Sequence, residues 1–214
     1  MGGKRINHAC RPNAYYRFDD FTLNFDVFSL KDIRPGEEIT FSYGFSAEPY
    51  EARSKALEST WGFTCTCSLC TANSTTIAAS DTRLADIAAL KSSLPTSLSD
   101  LPQYIALLPR LISFVEKEGL LSELPMYEEI LAYTWSAIKA EEGAKYWAER
   151  ASKHWRVIAG KESWEARRTQ DLLDNLEGHY TWGSYEGPDP WEGVGKGHPW
   201  DEPEGEEHDH DHGH

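Results

Sequence analysis

No run of apolar residues in this 214-residue chain approaches the ~20 needed to cross a bilayer, which excludes an integral membrane role. Positive charge is also short. Lys and Arg number 21 against 35 Asp and Glu, for a formal net charge of −14. Ten acids and one lysine fall in residues 186–214, so −9 of that charge lies there and −5 in residues 1–185. A body at −5 lacks the basic excess that grips a nucleic-acid backbone by counterion release, so no direct nucleic-acid binding is expected. The opening Met1-Gly2-Gly3-Lys4-Arg5 has no apolar core of a secretory signal, which makes the expected location intracellular. Cysteine is scarce, with four in all, and every one lies in the first 70 residues.

What is present is enough for a core: 40% hydrophobic residues, 12% aromatics and eight Trp. Residues 1–71 read as β-rich. Asn24-Phe25-Asp26-Val27-Phe28-Ser29-Leu30 alternates with period two, as a half-buried strand does. Arg34-Pro35-Gly36-Glu37 is a turn signal, and Ile39-Thr40-Phe41-Ser42-Tyr43 reads as the next strand.

Residues 72–183 carry helical spacing. Pro109 is expected to kink or split a helix over 101–118, whereas Pro125 suits a first helical turn ahead of Ile130, Leu131 and Ile138. In 143–160 one face carries Tyr146, Trp147, Ala151, Trp155 and Ile158, with Gly160 as the C-cap. Ser163 caps a further helix bearing Leu172, Leu173 and Leu176. Short loops between such helices imply helical hairpins, and a tetratricopeptide-like array is one form they could take. Residues 184–214 hold one aliphatic β-branched residue, Val194, and five of the eight His; disorder is the expectation, with weak divalent-metal binding as its sharper reading.

Cys65-Thr66-Cys67-Ser68-Leu69-Cys70 packs three thiols into six residues, and Cys10 supplies a fourth. A Cys65–Cys67 disulfide would close a strained loop, while tetrahedral zinc accepts four thiolates at about 2.3 Å. Four thiols with none left over point to a closed, structural Cys₄ site; buried apolar cysteines are the alternative.

These residues carry a resemblance. Asn7-His8-Ala9-Cys10-Arg11-Pro12-Asn13 resembles the NHxCxPN motif of SET-domain protein-lysine methyltransferases. Gly36-Glu37-Glu38-Ile39-Thr40-Phe41-Ser42-Tyr43 resembles their GEExxxxY motif. The stretch from Trp61 through Cys70 is similar to their post-SET cysteine motif, and the helical zone behind it is SMYD-like in layout. The resemblance implies an α+β protein in four parts: residues 1–60 as the C-terminal part of a SET domain, 61–71 as the post-SET zinc segment, 72–183 as a helical region, and 184–214 as a tail.

It also implies S-adenosylmethionine as methyl donor and structural zinc held by Cys10, Cys65, Cys67 and Cys70. Asn7, His8, Tyr43 and Phe63 would contact the cofactor, and Tyr43 would be the catalytic tyrosine. The partner would be a protein with a target lysine, histone tails included, met in the nucleus or cytoplasm. A neutral amine must attack the sulfonium methyl, so a desolvating aromatic channel suits a lysine whose ordinary pKa is ~10.4. The family carries a further half of the domain ahead of NHxC, and Met1 stands six residues before Asn7. A truncated form whose sheet shows unpaired edges and exposed apolar faces, with no measurable methyl transfer by this chain, is the expectation. The competing function is an inactive zinc-stapled module whose helical region binds a partner protein.

Overall fold

The computed structural model describes residues 6–19, 23–97 and 100–188. The expectations for the tail, its metal binding included, fall almost wholly outside these residues.

The first part is mixed α and β. Strand β1 (Asn7–His8) pairs in parallel with β4 (Thr40–Phe41), Asn7 opposite Thr40 and His8 opposite Phe41. Between them in the chain, β2 (Ala14–Asp19) and β3 (Asn24–Ser29) form an antiparallel hairpin, with Ala14 opposite Ser29. The β3 strand was expected to be half buried. Instead Phe25 and Val27 are exposed together with Tyr16 and Phe18; the Phe41 ring, 4.9 Å from that of Tyr16 and 6.2 Å from that of Phe25, covers only part of that face. The strand expected over 39–43 is only two residues long: Ser42 turns away to bond with Gly44 and Ser46. Glu37 N–H donates to the Arg34 carbonyl at 2.9 Å and closes the expected turn.

The β-rich reading misses helix α1 (Tyr50–Trp61). It buries only Arg53 and Leu57, one turn apart, so no hydrophobic stripe announces it. Gly62 ends it in the left-handed conformation at φ 74°, where glycine lacks the Cβ penalty, and donates to the Glu58 carbonyl. The chain thereby turns Phe63 and the cysteine loop back toward β1.

Five further helices follow: α2 (Ser74–Ser93), α3 (Leu101–Glu118), α4 (Leu124–Ala137), α5 (Glu141–Ala159) and α6 (Trp164–Asp174). Asn73 caps α2 by accepting from Thr76 N–H at 2.8 Å, and Ser163 caps α6 by accepting from Ala166 N–H at 3.2 Å. Helix α3 runs unbroken through Pro109, contrary to the expected split. Proline there costs one backbone bond, but Leu108, Leu111, Ile112 and Val115 are buried around it and hold both turns in place. Pro125 sits in the first turn of α4, as expected.

The main core lies among α2 to α6, centred on Leu108, Leu131, Trp135, Ala148 and Leu172. Helices α4 and α5 pack closely enough that a Cβ on Gly143 would meet the Trp135 ring at 2.8 Å. Of the face named for α5, Trp147, Ala151 and Ile158 are buried while Tyr146 and Trp155 sit at its edge. The β-hairpin leans on this bundle: Phe28 touches Gly160, and Arg17 pairs with Glu165 at 3.0 Å. No helix among the described residues is long and apolar enough to cross a membrane.

Candidate functional site

The short β1–β4 ladder carries the two sequence motifs side by side, and Asn13 ties them. Its side chain is 4% exposed. Its Nδ2 donates to Glu37 Oε1 at 3.0 Å and to the Glu38 carbonyl at 2.9 Å, while its Oδ1 accepts from Thr40 N–H at 2.9 Å. Hydrogen bonds from Asn13 and from Arg34 N–H hold the Glu37 carboxyl below the usual carboxylate range.

His8 is gripped at both ring nitrogens. Nδ1 accepts from Tyr43 N–H at 3.0 Å, so in the neutral ring the proton sits on Nε2, which faces Cys10 Sγ at 3.3 Å. Burial lowers the pKa of this ring, in keeping with the neutral form. The rings of His8, Tyr43 and Phe63 cluster, at 5.4 Å for His8–Tyr43, 5.9 Å for His8–Phe63 and 6.1 Å edge-on for Tyr43–Phe63. Trp61 adds a fourth ring 5.1 Å from Tyr43. Tyr43 donates its hydroxyl to the Ile6 carbonyl at 2.6 Å.

Asn7, His8, Tyr43 and Phe63 all line one cavity of about 1190 Å³, with Glu38, Trp61 and Cys67 also on its wall. Asn7 Nδ2 donates to Glu38 Oε1 at 2.5 Å.

At the cavity's edge the four thiols converge. All four sulfurs lie within 4.8 Å of one another, with Cys10 Sγ 3.8 Å from Cys65 Sγ and 3.6 Å from Cys70 Sγ. Four bonds of 2.3 Å at tetrahedral angles give sulfur–sulfur edges of about 3.8 Å, so the spacing fits one zinc ion. It is far too long for disulfides, whose bond is about 2.05 Å, and all four cysteines are free. Crowding splits their acidities. A hydrogen bond from Cys10 pulls Cys67 down to about 3, while burial pushes Cys65 up to about 11. Cys10 is driven up, first by its hydrogen bond to Cys67 and then by burial. Several thiolates cannot share this space without a cation, which is what a divalent ion would supply.

Sequence reasoning passed over three residues here. Asn13 and Glu38 sat inside the quoted motifs without a role, and Arg53 had no signal at all, since a lone arginine in a polar helix looks like surface.

The SET domain family profile matches residues 1–44. The chain is 37% identical over 65 residues to the histone-lysine N-methyltransferase SET5 of Eremothecium gossypii, a match covering 30% of this chain and 13% of that protein. It is 42% identical over 66 residues to a SET and MYND domain-containing protein of Dictyostelium discoideum, covering 30% and 19%. It is 38% identical over 69 residues to the protein-lysine N-trimethyltransferase SMYD5 of Mus musculus, covering 31% and 17%. The chain thus spans less than a quarter of the length of the curated relatives it matches. Over its N-terminal third the chain is similar to SET-domain methyltransferases, and it carries a cysteine cluster like a post-SET zinc site with a helical region after it.

Proposed function

We propose that this chain carries the catalytic-tyrosine side of an S-adenosylmethionine-dependent protein-lysine N-methyltransferase. The observation that carries this reading is the convergence of Asn7, His8, Tyr43 and Phe63 on one cavity beside four clustered thiols. In this reading residues 1–60 are SET domain, 61–71 the post-SET segment and 72–183 a helical region arranged as in the SMYD-like branch. Structural zinc at Cys10, Cys65, Cys67 and Cys70 would hold the loop that carries Phe63 against His8. Phe63 and His8 offer faces for an adenine ring, and the Asn7 amide offers hydrogen bonds at the same wall. The Tyr43 hydroxyl, with its proton given to the Ile6 carbonyl, keeps oxygen lone pairs free to orient a substrate amine. Cofactor supplies the methyl group; the aromatic walls exclude water and favour a neutral lysine. The printed names of the relatives support a protein lysine as substrate, histones among them.

The test is transfer of a labelled methyl group from S-adenosylmethionine to mixed histones and lysine peptides by the zinc-loaded chain. Cofactor bound by the chain, with any lysine-linked label falling with Tyr43→Phe, is the expected result. A second reading, a non-catalytic module whose helices bind a partner protein, is favoured by the exposed Trp164 and Tyr180 on the helical region. Absence of transfer together with absence of cofactor binding would select it.

A further inference from the structure

Arg53 lies in α1 with 0% of its surface exposed. Its Nη1 donates to the Glu48 carbonyl at 2.6 Å, its Nη2 lies 3.9 Å from Cys70 Sγ, and its Nε has no hydrogen-bond partner. The Tyr50 ring sits 5.9 Å from its guanidinium carbon. Among the described residues no carboxylate forms an ion pair with it. Asp81, near that end of α1, attracts Arg53 without an ion-pair contact and accepts the Tyr50 N–H at 2.8 Å. A fully buried guanidinium with no charged group in direct contact is strongly unfavourable, and an attraction at a distance from Asp81 offsets only part of that cost, so a closer anion is called for. Without metal the cluster offers only the Cys67 thiolate, which is engaged with Cys10, whereas the sulfur that Nη2 faces is that of Cys70. Four thiolates around a divalent ion would supply the closer anion, since that assembly carries a net −2 and is itself costly to bury uncompensated.

We propose that Arg53 is the counter-cation of a metal–thiolate centre formed by Cys10, Cys65, Cys67 and Cys70, and that it sets the centre's affinity for divalent metal. This rests on the reading of the cysteine cluster as a metal site. Arg53 acts through Cys70 as a positioning and charge-balancing residue, and Nη2 is the group that faces the sulfur. His8 Nε2, on Cys10, is the second donor to the cluster, but it is neutral and contributes a hydrogen bond without charge.

The experiment uses the full chain, with Co²⁺ as a reporter and Zn²⁺ as competitor. The thiolate-to-cobalt charge-transfer band reports sulfur ligation and does not respond to imidazole or carboxylate sites elsewhere in the chain. Wild type is expected to bind one Co²⁺ with this band and to exchange it for Zn²⁺. In Arg53→Gln, zinc affinity is expected to fall at least tenfold and the band to move to longer wavelength, because thiolates without a neighbouring cation give up electron density more easily. Arg53→Lys, which restores the charge with poorer packing, is expected within about threefold of wild type with its band unmoved. A Gln variant that binds zinc like wild type with an unshifted band overturns the proposal. So does a Lys variant as impaired as Gln, unfolding included, because packing and not charge would then be the cause. If wild type itself shows no charge-transfer band, the metal reading fails first, and that outcome is distinct from failure of the Arg53 assignment.

Discussion

The Glu118 carboxylate, at the last residue of α3, clamps the guanidinium of Arg11, the residue next to Cys10. Its side chain is 1% exposed and also accepts from Ser80 Oγ and, at 2.7 Å, from Arg83 Nε. Arg11 in turn donates Nη1 to the carbonyls of Cys10 at 2.6 Å and Ser46 at 2.9 Å. One buried acid of the helical bundle therefore fixes the backbone on both sides of the candidate site. Glu118→Gln is expected to destabilise the fold by about 3–5 kcal/mol, since it leaves two partly buried guanidinium groups short of an anion. Urea unfolding of wild type and variant measures this; a difference under 1 kcal/mol would mean that the clamp is ornamental.

Asn13 makes a comparable link inside the site. Asn13→Ala removes its bonds to Glu37, Glu38 and Thr40 and is expected to cost about 2–3 kcal/mol. It should also release Glu37. That carboxyl is held below its ordinary value in the fold, so its contribution is present above the unfolded value and is lost as pH falls through the folded one. A carboxyl-carbon NMR titration should find Glu37 titrating higher in the alanine variant, and an unmoved midpoint would remove Asn13 as the cause.

Metal removal has its own signature. A structural Cys₄ zinc contributes apparent binding free energy of about 10–16 kcal/mol to local folding. A strong chelator is therefore expected to free the loop between Gly62 and Ala72 and to expose four thiols to alkylation, read by mass spectrometry. Equal alkylation rates with and without chelator would rule the zinc site out.

Tyr43→Phe keeps the ring contacts with His8, Trp61 and Phe63 and loses only the hydroxyl. In a chain that transfers methyl groups, the variant is expected to lose turnover by a hundredfold or so while cofactor affinity stays within a few-fold, the pattern of an interaction made mainly in the transition state. Steady-state kinetics separates the two. An unchanged kcat would take the hydroxyl out of the reaction.

Local chemistry made part of this legible in sequence. The cysteine spacing marked the thiol cluster, Ser163 marked a helix start, and the apolar stripe of α5 marked its buried face. Helix α1 was not legible because its two buried residues include an arginine, and hydrophobic periodicity does not register a buried cation. Glu118, Glu128 and Glu129 were hidden for the same reason. Each is 4% exposed or less and answered by partners far along the chain: Arg11 and Arg83, Arg150 and His154, and Arg168. The exposure of Phe25 and Val27 was legible only through the family resemblance, which led to the expectation of exposed apolar faces on the sheet; alternation alone shows which side of a strand is apolar but not whether anything covers it.

The most direct test of the account is calorimetric titration of S-adenosylmethionine into the zinc-loaded chain and into its Asn7→Ala and Phe63→Ala variants. The account predicts saturable binding at one site per chain, weakened at least tenfold by each substitution, because both side chains wall the cavity beside Tyr43. Absence of saturable binding to the zinc-loaded wild type, or binding that neither substitution alters, would contradict the assignment of this cavity to the cofactor.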